Sequence, residues 1–563
     1  MKPLARVVRI WHTVRWLRPA QVWGQVTFRL RWPRVRVASA PAVAEHSGSW
    51  VHCAREPSMT GPSRFRFLGV ERDIAESGWI DWDRADWPRL WRYHLHYFDD
   101  LVANGAAGRQ EWHRDLVLLW VNDHPPGAGT AWEPYPVSLR IVNWVKWSLA
   151  ADMTGDRSAA ERLPASARDS LAMQARWLMQ SLETHLLGNH LWANAKALVF
   201  AGLYFAGTEP AAWRSRGLEL IRRELGEQVL ADGGHFELSA MYHSIVLEDL
   251  LDLIQLADRY PGALPGPDID RWRETAERMS DWLAVMSHPD RDIALLNDAA
   301  LGQAPAPAAL ADYGARLGLR QPHSPREPVH WLRNTGYGRV TLGPWVAILD
   351  AAEIGPSYLP AHGHADALTF ELSLDGERLI VDSGTATYED CPERWHQRST
   401  AAHNTVQVDG LDSSEVWRSF RVARRARVGT VEVQETGTGC FVCGSHDGYS
   451  RVGVHRHRRT WSFDERELRI QDELLGRGRH DVVWGLHLHP DVRVERCSPH
   501  EFVLLRRDLR VARFHGDPRL DFVAEASRYH PRFGSSEPAT MLIGRASLDV
   551  PSSIVARLVV ERD

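Results

Sequence analysis

The sequence predicts an α+β multidomain protein, with an all-helical N-terminal domain followed by a C-terminal antiparallel β-sandwich. Three observations lead there. At 563 residues the chain is too long for a single ordinary core. From about residue 85 to 300, apolar residues recur at helical spacing between Gly and Pro breaks, with no strand pattern between them. Beyond a Pro-, Ala- and Gly-rich stretch at about 303–328, the apolar period changes from near 3.6 to 2.

Three segments are expected, taken in order. Residues 1–45 form a basic, Trp-rich segment. Residues 1–44 hold no Asp or Glu but carry Lys2, Arg6, Arg9, Arg15, Arg18, Arg29, Arg31, Arg34 and Arg36, although the whole chain has a net charge of −5. This segment reads either as an arm packed on the body through Trp11, Trp16, Trp23 and Trp32, or as a peripheral contact with an anionic surface. Charged residues between Trp11 and Arg18 interrupt any secretory apolar run, so a cytoplasmic or membrane-peripheral location is expected over export. In the helical domain, residues 46–325, the spacing of Leu191, Ala195, Leu198, Gly202 and Phe205 predicts a buried helix face, and a second helix is expected over 242–256. In the β-domain, residues 326–563, Leu368, Phe370, Leu372 and Leu374 alternate with Thr369, Glu371 and Ser373. The run ends at an Asp375-Gly376 turn and returns over 379–382. Further strands are expected at 406–408, 467–471 and 482–488.

Composition excludes several classes. The hydrophobic share of 44% and charged share of 25% are those of a globular protein, and no apolar run approaches a membrane span. Five cysteines in so long a chain argue against a disulfide scaffold. Cys440 and Cys443 have metal-knuckle spacing, but no second pair follows and the surroundings read as strand. Trp, at 25 copies, outnumbers Phe and Tyr, a mild pointer to sugar rings. No dinucleotide fingerprint, Walker loop, HExxH or GxSxG elbow is present, and no nucleic-acid partner is expected.

Four polar clusters remain. They are Trp132-Glu133-Pro134-Tyr135-Pro136 with Arg140 and Asn143; Gly188-Asn189-His190; Asp232-Gly233-Gly234-His235-Phe236-Glu237 with Tyr242; and His362-Gly363-His364-Ala365-Asp366. With NHLWANAKALVFAGLYF, DGGHFELSAMYH, HGHADALTFEL, LIVDSGTATYED and STAAHNTVQVDG, they resemble the heparinase II/III family of polysaccharide lyases, in order over roughly residues 90–490. The sequence also looks like the branch of that family found beside bacterial surface-polysaccharide genes.

The resemblance implies an (α/α) toroid of helical hairpins carrying a β-sandwich, and β-elimination at a uronate. That chemistry needs a group to stabilise the carboxylate as it becomes enolate-like, a base for the C5 proton and an acid for the leaving O4. By resemblance, Asn189 neutralises the carboxylate, His190 assists or acts as base for one C5 epimer, Tyr242 is base, acid or both, and His362 leans into the cleft. A phenol needs a cationic neighbour to serve as a base, and His235, His243 and Arg140 are the candidates. His364, Asp382 and His403 match ligands of one structural divalent ion, zinc or manganese. Trp132, Tyr135, Arg140, Asn143 and His235 are candidate contacts to an acidic polysaccharide. Relatives with an acid one turn after the helix histidine differ from this chain, which has Ala193 and Asn194 there; position 246, arginine in some, is Val246. A C5-uronyl epimerase, a non-catalytic polysaccharide-binding factor and a hydrolase using Glu133 and Glu237 are the rival readings.

Overall fold

The computed structural model describes residues 3–30, 36–150, 163–325 and 327–561; Lys2, Arg31, Trp32 and Arg34 lie outside them, as does the side chain of Arg29. An (α/α) toroid forms the N-terminal body. Its helices run Arg89–Tyr97, Gln110–Asp123, Pro134–Leu149, Ala165–Gln180, Gly188–Tyr204, Thr208–Gln228, Ala240–Arg259, Gly266–Val285 and Pro307–Arg316. The stripe Leu191, Ala195, Leu198, Gly202 and Phe205 is buried, as its spacing predicts. Ionic groups join three of these helices inside the toroid. Lys196 donates to Asp249 and Asp252 at 2.5 Å each, Lys146 pairs with Asp252, and Trp192 Nε1 donates to Asp249 at 3.0 Å. Both carboxylates and both ammoniums are buried, so loss of one partner would strand a charge. This network fixes Gly188–Tyr204 against Ala240–Arg259, the two helices whose first turns carry Asn189, His190 and Tyr242.

The β-domain begins at strand Val329–Leu332, the first of a five-stranded antiparallel sheet in chain order ending with Phe370–Leu374 and Glu377–Ile380. A ten-stranded sheet follows, and the apolar faces of the two sheets meet in one core. The runs at 467–471 and 482–488 are ends of one strand, Glu467–His487, with an irregularity between Leu474 and Gly478. The Asp375-Gly376 turn is present, but a register shift near Ser373 interrupts the hairpin. The polar side of Phe370–Leu374 does not face water. Its five residues are all buried, and His288 of the helical domain bonds Glu371 and Ser373 at 2.8 Å each. Polar alternation here marks an interface between domains, where each polar group has a partner on the other side.

The basic segment folds as helices Pro3–Val14 and Pro19–Leu30. Of the tryptophans expected to pack it on the body, Trp11 and Trp23 are exposed, Trp16 is half-buried with Arg425 over its ring at 5.0 Å, and Trp32 lies outside the described residues. No helix among the described residues is long and apolar enough to cross a membrane.

Candidate active site

The site lies where the first turns of two toroid helices meet the 362–403 region of the β-domain. Leu187 takes φ 64° and Gly188 φ 55°, which swings the chain into the helix and places Asn189 and His190 in its first turn. Gly188 is required for a second reason, since a Cβ there would meet Leu359 at 2.5 Å and Glu237 Oε1 at 3.0 Å. Asn189 is not the helix cap; that position is Leu187. Its backbone N donates to Glu237 Oε1 at 3.4 Å, and its side-chain amide has no partner among the described residues. His190 Nδ1 lies 3.0 Å from Glu183 Oε1, and its ring packs at a tilt of 35° against Tyr135, 4.4 Å between centroids. Burial works against a charge on His190, but Glu183 outweighs it and raises the imidazole above its ordinary value. Glu183 thus places an acid beside His190 from outside its helix. Buried Asn194 holds that carboxylate in place, donating to Glu183 Oε2 at 3.1 Å and accepting from its backbone N at 2.8 Å.

Tyr242 stands in the first turn of Ala240–Arg259, whose N-cap Ser239 accepts its backbone N–H at 3.3 Å. Its hydroxyl is 3.2 Å from that of Tyr388, and its ring lies 4.0 Å from the His362 ring. Burial first, then Tyr388 and Asp298, push the phenol well above its usual value, so it rests protonated. The cations expected beside it are elsewhere. His235 bonds Gln228, His243 bonds Met279 O and stacks on Trp282, and Arg140 is buried over the Trp120 ring. Arg394, seated over the Tyr388 ring at 5.0 Å, is the cation this region does contain.

Asp298, fully buried, organises the β-side of the site. Its Oδ2 receives His362 Nδ1 at 2.9 Å, its Oδ1 receives His364 Nε2 at 2.9 Å, and Arg394 pairs with both oxygens. Burial opposes this charge, but Arg394 and the two histidines hold the carboxyl well below the usual range. The two imidazoles of His362-Gly363-His364 therefore share one carboxylate yet present different free nitrogens. His362 Nε2 faces Glu237 Oε2 at 3.5 Å, so Glu237 lies between the Asn189 turn and His362. Burial raises the Glu237 carboxyl. Gly363 is needed because a Cβ would sit 2.1 Å from Ile354 O.

Behind this loop, His364, Asp366 and His403 bring one ligand atom each within 4.8 Å of one another. His364 Nδ1, Asp366 Oδ2 and His403 Nε2 are buried without hydrogen-bond partners, and burial, the largest influence, pushes the Asp366 carboxyl up to about 6. Two imidazole nitrogens and a carboxylate oxygen, all orphaned and convergent, fit a divalent ion. Asp382, the carboxylate expected among the ligands, is not one of these three convergent groups. Its Oδ2 holds His403 Nδ1 at 2.7 Å, and Asp366 converges instead, beside a turn in which Leu368 is left-handed (φ 65°).

Of the expected sugar contacts, only Tyr135 borders the site, through His190. Trp132 is buried against Trp120 and Trp177. Arg140 is consumed by Gln174 Oε1, His96 O and Ala131 O; Asn143 by Tyr97 O and Asp99; and His235 is wholly buried. Arg140 and Asn143 satisfy backbone carbonyls inside the toroid, which a linear pattern does not distinguish from ligand contacts. Glu133 is engaged by Arg89 and Tyr93. Asp298 and Tyr388 were not singled out by sequence reasoning; Tyr388 sits within a family-like motif, whereas Asp298 has no local signal.

Residues 67–313 match the family model described as heparinase II/III N-terminus, and residues 324–556 the model described as heparinase II/III-like, C-terminal. A heparin-sulfate lyase of Bacteroides stercoris is 29% identical over 320 residues, covering 51% of this chain and 44% of that protein. A heparin-sulfate lyase of Pedobacter heparinus is 26% identical over 385 residues, covering 61% and 55%. The chain thus spans about half the length of these relatives. Among solved structures, heparinase III superposes with TM-score 0.68 at 17% identity over 87% of this chain and 80% of its own. A heparan sulfate lyase from Pedobacter heparinus gives 0.58 at 18%, over 96% and 88%.

Proposed function

Because the chain belongs to the heparinase II/III family, we propose that it is a polysaccharide lyase cleaving a uronate-containing polymer of glycosaminoglycan type by β-elimination. The observation that carries this is the meeting of an unpartnered amide, a cation-biased imidazole, a protonated phenol and a second imidazole around Glu237. The Asn189 amide and protonated His190 receive the uronate carboxylate at a helix N-terminus and take up the charge that grows there as C5–H breaks. His362, with Nδ1–H given to Asp298, offers Nε2 as the base for the C5 proton. The C–H electron pair becomes the C4–C5 double bond, the C4–O4 pair leaves with O4, and Tyr242 gives O4 its proton. Tyr135, packed against His190, supplies an aromatic face beside the uronate ring.

A zinc or manganese ion held by His364, Asp366 and His403 would supply structural cross-linking behind the cleft. Asp382 orients His403 for that purpose. Bacterial surface polysaccharide is the second substrate class consistent with the resemblance. An epimerase would use the same residues but return the C5 proton before O4 leaves, and a binding factor would do neither.

The test is to incubate the protein with heparosan, heparan sulfate, hyaluronan, chondroitin, alginate and glucuronan and follow ultraviolet absorbance of the new conjugated uronate. One polymer should give absorbing, shortened product. Deuterium incorporation at C5 in heavy water without chain scission would establish the epimerase instead, and binding without either would leave only the binding factor.

A further inference from the structure

The first two helices bury the wrong face for a protein in water. Val7, Ile10, Trp11 and Val14, at helical spacing on Pro3–Val14, are all exposed, Trp11 by 61%. On Pro19–Leu30 the same holds for Val22, Trp23, Val26 and Leu30, with Trp23 at 71% and Leu30 at 74%. Half of the large apolar side chains exposed among the described residues lie in this short stretch. The polar faces point inward. Arg9 pairs with Glu415 at 2.8 Å, Trp417 Nε1 donates to Thr13 at 3.2 Å, Arg18 pairs with Glu227 at 2.5 Å and Gln21 donates to Tyr358 O at 3.3 Å. This two-helix segment is therefore anchored to both domains by its polar side and holds two apolar stripes out to solvent.

We propose that these two helices dock the protein on a bilayer with anionic headgroups. Charge complementarity selects that occupant. Residues 1–44 contain no acid, Arg6 and Arg15 are exposed beside the stripes, and the nearby acids Glu415 and Glu227 are already paired with Arg9 and Arg18. A second copy of this chain would bring two basic segments face to face, which Coulomb repulsion disfavours. One tryptophan on each helix suits headgroup depth, where an apolar ring meets water and phosphate.

The experiment is flotation of the full chain with vesicles of phosphatidylcholine alone and of phosphatidylcholine with phosphatidylglycerol. The expected result is partition onto the anionic vesicles on the order of tenfold above the neutral ones, weakening as salt is raised. Trp11→Glu with Trp23→Glu should abolish it with little change in melting, because both side chains are mostly exposed. Arg6→Glu with Arg15→Glu should remove the preference for anionic lipid while leaving residual binding. Absence of binding to anionic vesicles, or binding untouched by the double tryptophan variant, overturns the proposal. So does a vesicle-free dimer, seen by light scattering, that the tryptophan variant dissociates while vesicles bind neither form.

Discussion

Tyr242→Phe separates chemistry from architecture because the hydroxyl has so little structural work to do. The ring keeps its position against His362, and only the 3.2 Å contact with Tyr388 is lost. A neutral hydrogen bond of that kind contributes about 1 kcal/mol, so the denaturant midpoint should move slightly. Turnover should fall by about 10²–10⁴, equivalent to about 3–5 kcal/mol of barrier, if the phenol is the proton donor to O4. Tyr388→Phe removes the same hydrogen bond from the other side and serves as the control. It should match Tyr242→Phe in stability while retaining far more activity. The assay is initial velocity of unsaturated product at saturating substrate, alongside urea unfolding of both variants. Tyr242→Phe activity within about tenfold of the parent, or equal losses in the two variants, would refute the assignment.

Asn189→Ala should lower kcat more than it raises KM, since the carboxylate gains its extra charge only on the way to the enolate-like state; a pure KM effect would make it a positioning contact. Glu183→Gln removes the charge that raises His190, so the alkaline limb of the kcat/KM profile should move to lower pH, and an unmoved limb would exclude His190 as the cation. Asp298→Asn leaves buried Arg394 without its counter-charge and should cost about 3–5 kcal/mol by denaturant titration, whereas a change under about 1 kcal/mol would contradict the buried pairing. Chelation should lower the melting temperature and activity together, both restored by zinc or manganese, and elemental analysis finding no metal in active protein would end that idea. Acid should also unfold the toroid from within. Burial holds His243 at about 3 and His94 at about 4, so both stay neutral in the fold while the unfolded chain takes up protons below about 6.5. Stability is then full above that pH and declines as pH falls toward 4, by up to about 1.4 kcal/mol per proton per pH unit, which pH-dependent melting would register.

Local patterns alone identified the helical and strand halves, the buried face of Gly188–Tyr204, and the clusters holding Asn189, His190, Tyr242 and His362. Each rests on a short-range regularity: a period of 3.6 or 2, a turn dipeptide, or polar residues beside glycines whose backbone needs them. What escaped was decided by partners distant in sequence. Asp298 organises His362 and His364 from 64 and 66 positions away. Glu183 reaches His190 from seven positions earlier in the chain, and Asp366 rather than Asp382 converges with His364 and His403 beside a turn in which Leu368 is left-handed. Arg140 and Asn143 look like ligand contacts in the sequence but face inward, since a buried backbone carbonyl demands a donor as strongly as a sugar carboxylate does, and Trp132 is buried among other aromatic rings. The first two helices are the converse case. Their amphipathic pattern is plain in the sequence, but only the tertiary structure shows which stripe meets the body, because ion pairs to Glu415 and Glu227 hold the polar side inward and leave the apolar side without a partner.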